Sequence, residues 1–70
     1  MASKLWFIKE DDVPVAVFDS KVHAQEEKES LANENEDCEY RIYSLSIEDL
    51  EDNSTEYEEE YELALQEGFF

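Results

Sequence analysis

Residues that cross-link, turn or neutralise a chain are all scarce here: one cysteine, one glycine, one proline, one histidine, and five lysines and arginines together. With Cys38 alone, no disulfide can brace the fold within one chain. With Cys38 and His23 as the only soft ligands, neither a zinc site nor an oriented Cys/His nucleophile has its parts. Cys38 therefore reads as a small strand hydrophobe and His23 as a helix-surface residue. The lone glycine, Gly68, leaves the acidic runs EDD and EDLEDN without the central glycine and alternating oxygen ligands of an EF-hand loop. Scarcity of cations excludes direct binding to a nucleic-acid backbone, which requires lysine and arginine to neutralise phosphates. No apolar run approaches the roughly 20 residues of a membrane helix. The N-terminal MASKLWFIKEDD carries a four-residue apolar run, too short for a secretory signal, so a cytosolic location is expected.

What the chain has in excess is carboxylate. Twenty-one Asp and Glu give a formal net charge of -16. Such a field repels nucleic acid and attracts basic partners. Acidity alone can signal disorder, but an apolar fraction of 41% and an aromatic fraction of 13% argue for a folded core. Residues 1–70 make a single domain. A chain this short buries only about 60% of its unfolded surface, which makes a homodimer the expected form in the absence of disulfides or metals. The carboxylates lie in polar runs and not in contrasting environments within a pocket, so acid/base catalysis is not expected, and no cofactor is implied.

The apolar pattern predicts an α+β fold: a small antiparallel three-stranded sheet in a β-β-α-β core over residues 1–47, an acidic loop over 48–54 and a C-terminal helix over 55–67. KLWFIK and VPVAVF, separated by EDD, read as a hairpin. In the second strand Val13, Val15 and Val17 fall on one face and Pro14, Ala16 and Phe18 on the other; Pro14 places the strand start, or a sheet edge, at that position. Ser20 is suited to cap a helix running to about Asn33, with Ala24 and Leu31 on its inner face and Lys28 laying its stem between them. Cys38 to Ile47 alternates as a third strand. EDLEDN lacks a clear period beyond one helical turn at Ile47 to Leu50. Tyr57, Tyr61, Ala64 and Leu65 form a helical stripe, with Thr55 and Glu58 spaced as a capping box and Gly68 placed to stop the helix. Tyr57, Tyr61, Leu63 and Leu65 also alternate as a strand would. Both faces of the sheet are apolar, so the C-terminal segment is expected to cover the one the first helix leaves bare. Trp6 and the tyrosines read as core or dimer interface, and the terminal GFF as a last core contact or an exposed apolar tag.

Spread over the roughly 4,500 Å² that a folded protein of this mass exposes, the net charge is about one per 290 Å². Duplex DNA carries about one per 105 Å², taking 1.7 Å of axis per charge and a radius of about 10 Å. An acidic protein at a third of that density, or higher where carboxylates cluster, is charged beyond the needs of solubility, and the self-repulsion it carries points to a binding role.

In size, acidity and the layout from KLWFIKEDDVPVAVFDS to CEYRIYSLSI, the chain resembles the small acidic host-takeover proteins of bacteriophages, most closely the Bacillus-phage DNA mimics that inhibit the nucleoid protein HU. The resemblance implies a homodimer in the host bacterial cytoplasm whose carboxylates stand in for phosphates on the DNA-binding surface of a basic protein. No motif carries over residue by residue. The candidate contact residues come from expected exposure: Glu10, Asp11 and Asp12 at the hairpin tip, Asp19 at the helix entry, Glu26, Glu27 and Glu29 on the helix, and Glu34, Glu36 and Asp37 after it. Asp49, Glu51, Asp52, Glu58 and Glu59 form a second choice. The rival reading is an acidic adaptor that inhibits a host enzyme, such as RNA polymerase or a protease, through Trp6, Phe69, Phe70 or the Tyr57 and Tyr61 stripe.

Overall fold

The computed structural model describes residues 4–70; Met1 to Ser3, part of the segment read for a leader, lie outside them. The chain folds as α+β in the order β1 (Lys4–Glu10), β2 (Val13–Phe18), α1 (Lys21–Glu34), β3 (Tyr40–Ser46), α2 (Ile47–Asp52) and α3 (Glu58–Gln66). The three strands form one open antiparallel sheet in the order β2-β1-β3. Among the described residues no helix is long and apolar enough to cross a membrane.

Asp11 and Asp12 join β1 to β2 with φ of 47° and 72°. Two successive left-handed residues match the twist of the flanking strands, and aspartate tolerates that region better than most side chains. The strands then pair from Glu10 opposite Val13, but the register shifts between Ile8, opposite Ala16, and Lys9, opposite Pro14. Val15 is thus the extra residue of a β-bulge. The bulge overturns the simple alternation expected of β2: Pro14 and Val17 turn inward, while Val13 and Val15 are 54% and 40% exposed. Pro14 does lie on an edge strand, where a missing ladder donor is tolerated.

Alternation along β1 sends Leu5 and Phe7 to one face and Trp6 and Ile8 to the other. On the second face Trp6 pairs with Phe18 and Ser44, and Ile8 with Ala16 and Ile42. Helix α1 covers this side, crossing all three strands. Its one fully buried residue is Ala24, whose methyl lets the helix approach closely; Lys28 and Leu31 are half-buried beside it. Ser20 holds the expected N-cap position in extended geometry, but its side chain makes no capping bond.

The first face carries the main core. Leu5, Phe7 and Val17 pack with Leu50 and Ala64, surrounded by Tyr43, Leu45, Ile47, Tyr57, Tyr61, Leu63 and Phe69. The Phe7 and Tyr43 rings stack at 5.4 Å. Helices α2 and α3 supply this cover, as the apolar second face demanded. Strand β3 begins at Tyr40, so Cys38 sits in the turn before it, and Ile47 opens α2 instead of ending the strand. The segment expected as a loop with one helical turn is a six-residue helix, because Ser46 Oγ accepts the Asp49 N–H at 3.0 Å and Leu50 is fully buried.

Helix α3 starts at Glu58, later than expected, with Tyr57 at the N-cap and no Thr55 capping bond. Residues 53–57 approach it through successive helix-type bonds, Asn53 N–H to Asp49 O and Tyr57 N–H to Asn53 O. Gly68, at φ 84°, ends it: its N–H donates to Leu65 O and that of Phe69 to Ala64 O, a Schellman closure that tucks Phe69 against the core. The C-terminal segment is helix, and of the two terminal phenylalanines Phe69 is the core contact while Phe70 is 37% exposed.

Candidate functional site

Carboxylates gather in three places. At the hairpin end, Asp11 N–H donates to Glu39 O at 3.0 Å, and Glu39 N–H to Asp11 Oδ1 at 3.1 Å. These bonds bring the EDD tip, Glu10, Asp11 and Asp12, against the segment that carries Glu36 and Asp37. All but the half-buried Glu10 are exposed. The Cys38 thiol donates to Glu10 Oε1 at 3.5 Å. The half-buried position, with Glu10 and Asp11 nearby, pushes the Cys38 thiol up, so it stays protonated and weakly nucleophilic. Ligand atoms of Glu10, Asp11 and Cys38 lie within 4.8 Å of one another. Burial and the Glu10 charge likewise raise the Tyr40 phenol. Cations dilute this end: Arg41 Nη2 lies 2.8 Å from Glu39 Oε1, and Lys9 lines the same small groove.

Helix α1 is the second place. Asp19, Glu26, Glu27, Glu29 and Glu34 are all exposed on or beside it. Here too the charge is mixed, because Lys21 and Lys28 share the helix, and Lys4 and Lys21 place their ammonium groups 5.0 and 5.6 Å from the Trp6 ring centroid. Glu29 lines an open groove with Trp6, Lys21 and Lys28.

The third place is the α2–α3 layer, and it differs in kind. Arg41 is the last cation of the sequence, so Ile42 to Phe70 holds ten carboxylates and no lysine, arginine or histidine. The first 41 residues hold the other eleven carboxylates and all five cations. Side-chain charge is therefore -10 in the C-terminal 29 residues and -6 in the rest, 21 carboxylates and five cations in total. The second-choice residues Asp49, Glu51, Asp52, Glu58 and Glu59 all sit in this layer and are exposed, together with Glu48, Glu56, Glu62 and Glu67, which exposure-based reasoning left out. Their signal was present along the chain as the absence of any cation after Arg41.

Order in this layer is what turns composition into a surface. Glu58, Glu59 and Glu60 occupy the first turn of α3, and Glu48 and Asp49 that of α2, where helix dipoles favour negative charge. The like-charged pair Glu58 and Glu62, one turn apart, opposes the helix by a few tenths of a kcal/mol. Packing of Ala64, Leu63 and Tyr61 on the sheet offsets that repulsion. Among the described residues Glu60 is the one carboxylate of this layer with a side-chain partner: Tyr43 Oη donates to its Oε1 at 3.1 Å. Burial, with Glu60 beside it, raises the Tyr43 phenol far above its ordinary value. The whole molecule exposes 4879 Å², which sets the average at about one net charge per 300 Å², near a third of the duplex DNA value. Per residue the Ile42 to Phe70 stretch is more acidic than the chain as a whole, and the one ammonium that reaches its edge among the described residues is that of Lys9, 4.9 Å from the Tyr43 ring centroid.

The chain matches no protein-family model, no curated protein and no solved structure.

Proposed function

We propose that this protein is a non-enzymatic DNA mimic that occupies the DNA-binding surface of a basic, HU-like nucleoid protein and blocks its hold on DNA. The observation that carries the reading is the stretch from Ile42 to Phe70: ten carboxylates and no lysine or arginine in sequence, eight of them on two docked helices and Glu56 and Glu67 beside these, instead of on a loose tail. A basic groove evolved for phosphates meets there a fixed array of anions, and the principal extents of 35 × 24 × 17 Å match about one turn of duplex, roughly 34–36 Å, in length. In this reading the protein acts in a bacterial host's cytoplasm, and a homodimer would lengthen the anionic surface. The aromatic-adaptor alternative has less to draw on. Tyr57, Tyr61 and Phe69 pack on the core and Trp6 lies under lysines, which leaves Phe70 as the exposed aromatic.

Competition for a labelled duplex bound to a purified HU-type protein tests the proposal. Added protein displaces the duplex at low salt, and displacement weakens as salt rises. Neutralising Glu48, Glu51, Asp52, Glu58 and Glu59 together abolishes displacement while the circular dichroism spectrum stays native. Neutralising Asp11, Asp12, Glu26, Glu27 and Glu29 weakens it less. Equal displacement by the first multiple variant and the wild type would sink the reading; salt-resistant capture that Phe70→Ala destroys would favour the adaptor.

A further inference from the structure

Glu58, Tyr61, Glu62 and Leu65 lie at i, i+3, i+4 and i+7 along α3 and so share one face of the helix. With Ser54 and Thr55 of the preceding turn they line an open groove of about 570 Å³. Its floor is apolar: Leu65 is 46% exposed, and the half-buried Tyr61 ring is braced by Phe70 at 5.1 Å. Its rim is anionic, since Glu58 and Glu62 face each other one turn apart and neither is paired with a cation among the described residues.

An exposed leucine and a tyrosine beneath two mutually repelling carboxylates match one kind of side chain, a long aliphatic stem that ends in a cation. Building on the proposed basic partner, we infer that this groove is the docking point for an arginine or lysine side chain of that partner. The methylenes lie on Leu65 and Tyr61, and the charged head bridges Glu58 and Glu62, relieving their repulsion. The rest of the acidic layer attracts the partner from a distance; this groove fixes where it sits.

The test uses the full chain, methyl and aromatic nuclear magnetic resonance, and a short oligoarginine peptide as probe. Leu65 methyl and Tyr61 ring signals move and saturate with the peptide. An oligomer of 2,4-diaminobutyrate of equal length, in a mildly acidic buffer that keeps its amines protonated and with a stem too short to reach the floor, leaves the Leu65 methyls in place. Glu58→Gln with Glu62→Gln, and separately Leu65→Ser, each weaken peptide binding about fivefold or more, whereas Glu34→Gln with Glu36→Gln, exposed at the far end of α1, changes it less than about twofold. Unmoved Leu65 methyls, or a Glu34 and Glu36 pair that weakens binding as much as the α3 pair, would overturn the inference. Should Leu65→Ser unfold, the methyl shifts and the glutamate pair decide alone. The competition assay with wild-type protein stands apart: displacement of duplex without groove signals discards the docking point and keeps the mimic, and groove signals without displacement do the reverse.

Discussion

Tyr43 on β3 and Glu60 on α3 are joined by a hydrogen bond of 3.1 Å, the phenol donating to the carboxylate. The bond ties the sheet to the acidic layer at a point where Tyr43 also stacks on the fully buried Phe7. Tyr43→Phe keeps the ring and removes the donor, and is expected to cost about 0.5–1.5 kcal/mol in urea unfolding at neutral pH. Because the phenol is raised in the folded state, the stability it contributes is complete below the ordinary tyrosine value of about 10 and is lost as pH rises above it. Unfolding titrations above that pH should show a shallower loss for Tyr43→Phe than for wild type. Tyr40, also raised, keeps part of the slope.

The hairpin tip gives two opposite outcomes from adjacent residues. Asp12 sits at φ 72°, and among the described residues no hydrogen bond of its side chain anchors it, so Asp12→Gly should stabilise the protein by about 1 kcal/mol. Asp11 is equally left-handed, but its carboxylate accepts the Glu39 N–H and holds the tip to the β3 approach. Asp11→Ala should destabilise by about 1–2 kcal/mol. Thermal melts of the two variants that move in the same direction would contradict this account.

Leu50 is the anchor of α2. It is completely buried between the sheet and α3, on a helix whose other residues are Ile47 and four carboxylates. Leu50→Ala should cost about 2–5 kcal/mol, a large part of the stability of so small a domain. Val22→Ala, at a position 60% exposed, should change stability by less than about 0.5 kcal/mol. Comparable urea midpoints for both variants would show that α2 is not docked as described.

Salt should act with opposite sign on folding and on binding. Raising sodium chloride from about 0.1 to 1 M shortens the screening length from about 10 Å to 3 Å. The free protein, relieved of self-repulsion, should melt higher, by about 4–8 °C for each kcal/mol regained. The complex with a basic partner should dissociate over the same range. A melting temperature that falls with salt would mean that attractive pairs, not repulsion, dominate the free molecule.

Much of this fold was legible residue by residue. The hairpin, α1, β3 and the stop at Gly68 follow from period, composition and punctuation that each segment carries within itself. The bulge at Val15 was not, because it arises in the pairing of β2 with β1 and leaves no mark on the alternation of VPVAVF. Nor was the full length of α2, six residues whose helix rests on a Ser46 cap and one buried leucine and not on any repeating stripe. Thr55 and Glu58 had the spacing of a cap, yet helix-type bonds carry the chain past Thr55 to Tyr57 before α3 begins. The acidic run after Arg41 is a feature of the same kind. The exposure of single carboxylates carries no trace of the run itself: after Arg41 the sequence holds ten carboxylates and no lysine or arginine.

Trp6, the sole indole of the chain, lies on the sheet face roofed by α1, opposite the side that α3 covers. Its emission is thus a built-in reporter of whether that roof is closed, tuned by two neighbouring ammonium groups. The same placement makes it blind to occupancy of the α3 side, so a fluorescence change on adding a partner records rearrangement of the domain or contact at the α1 groove that Trp6 lines with Glu29.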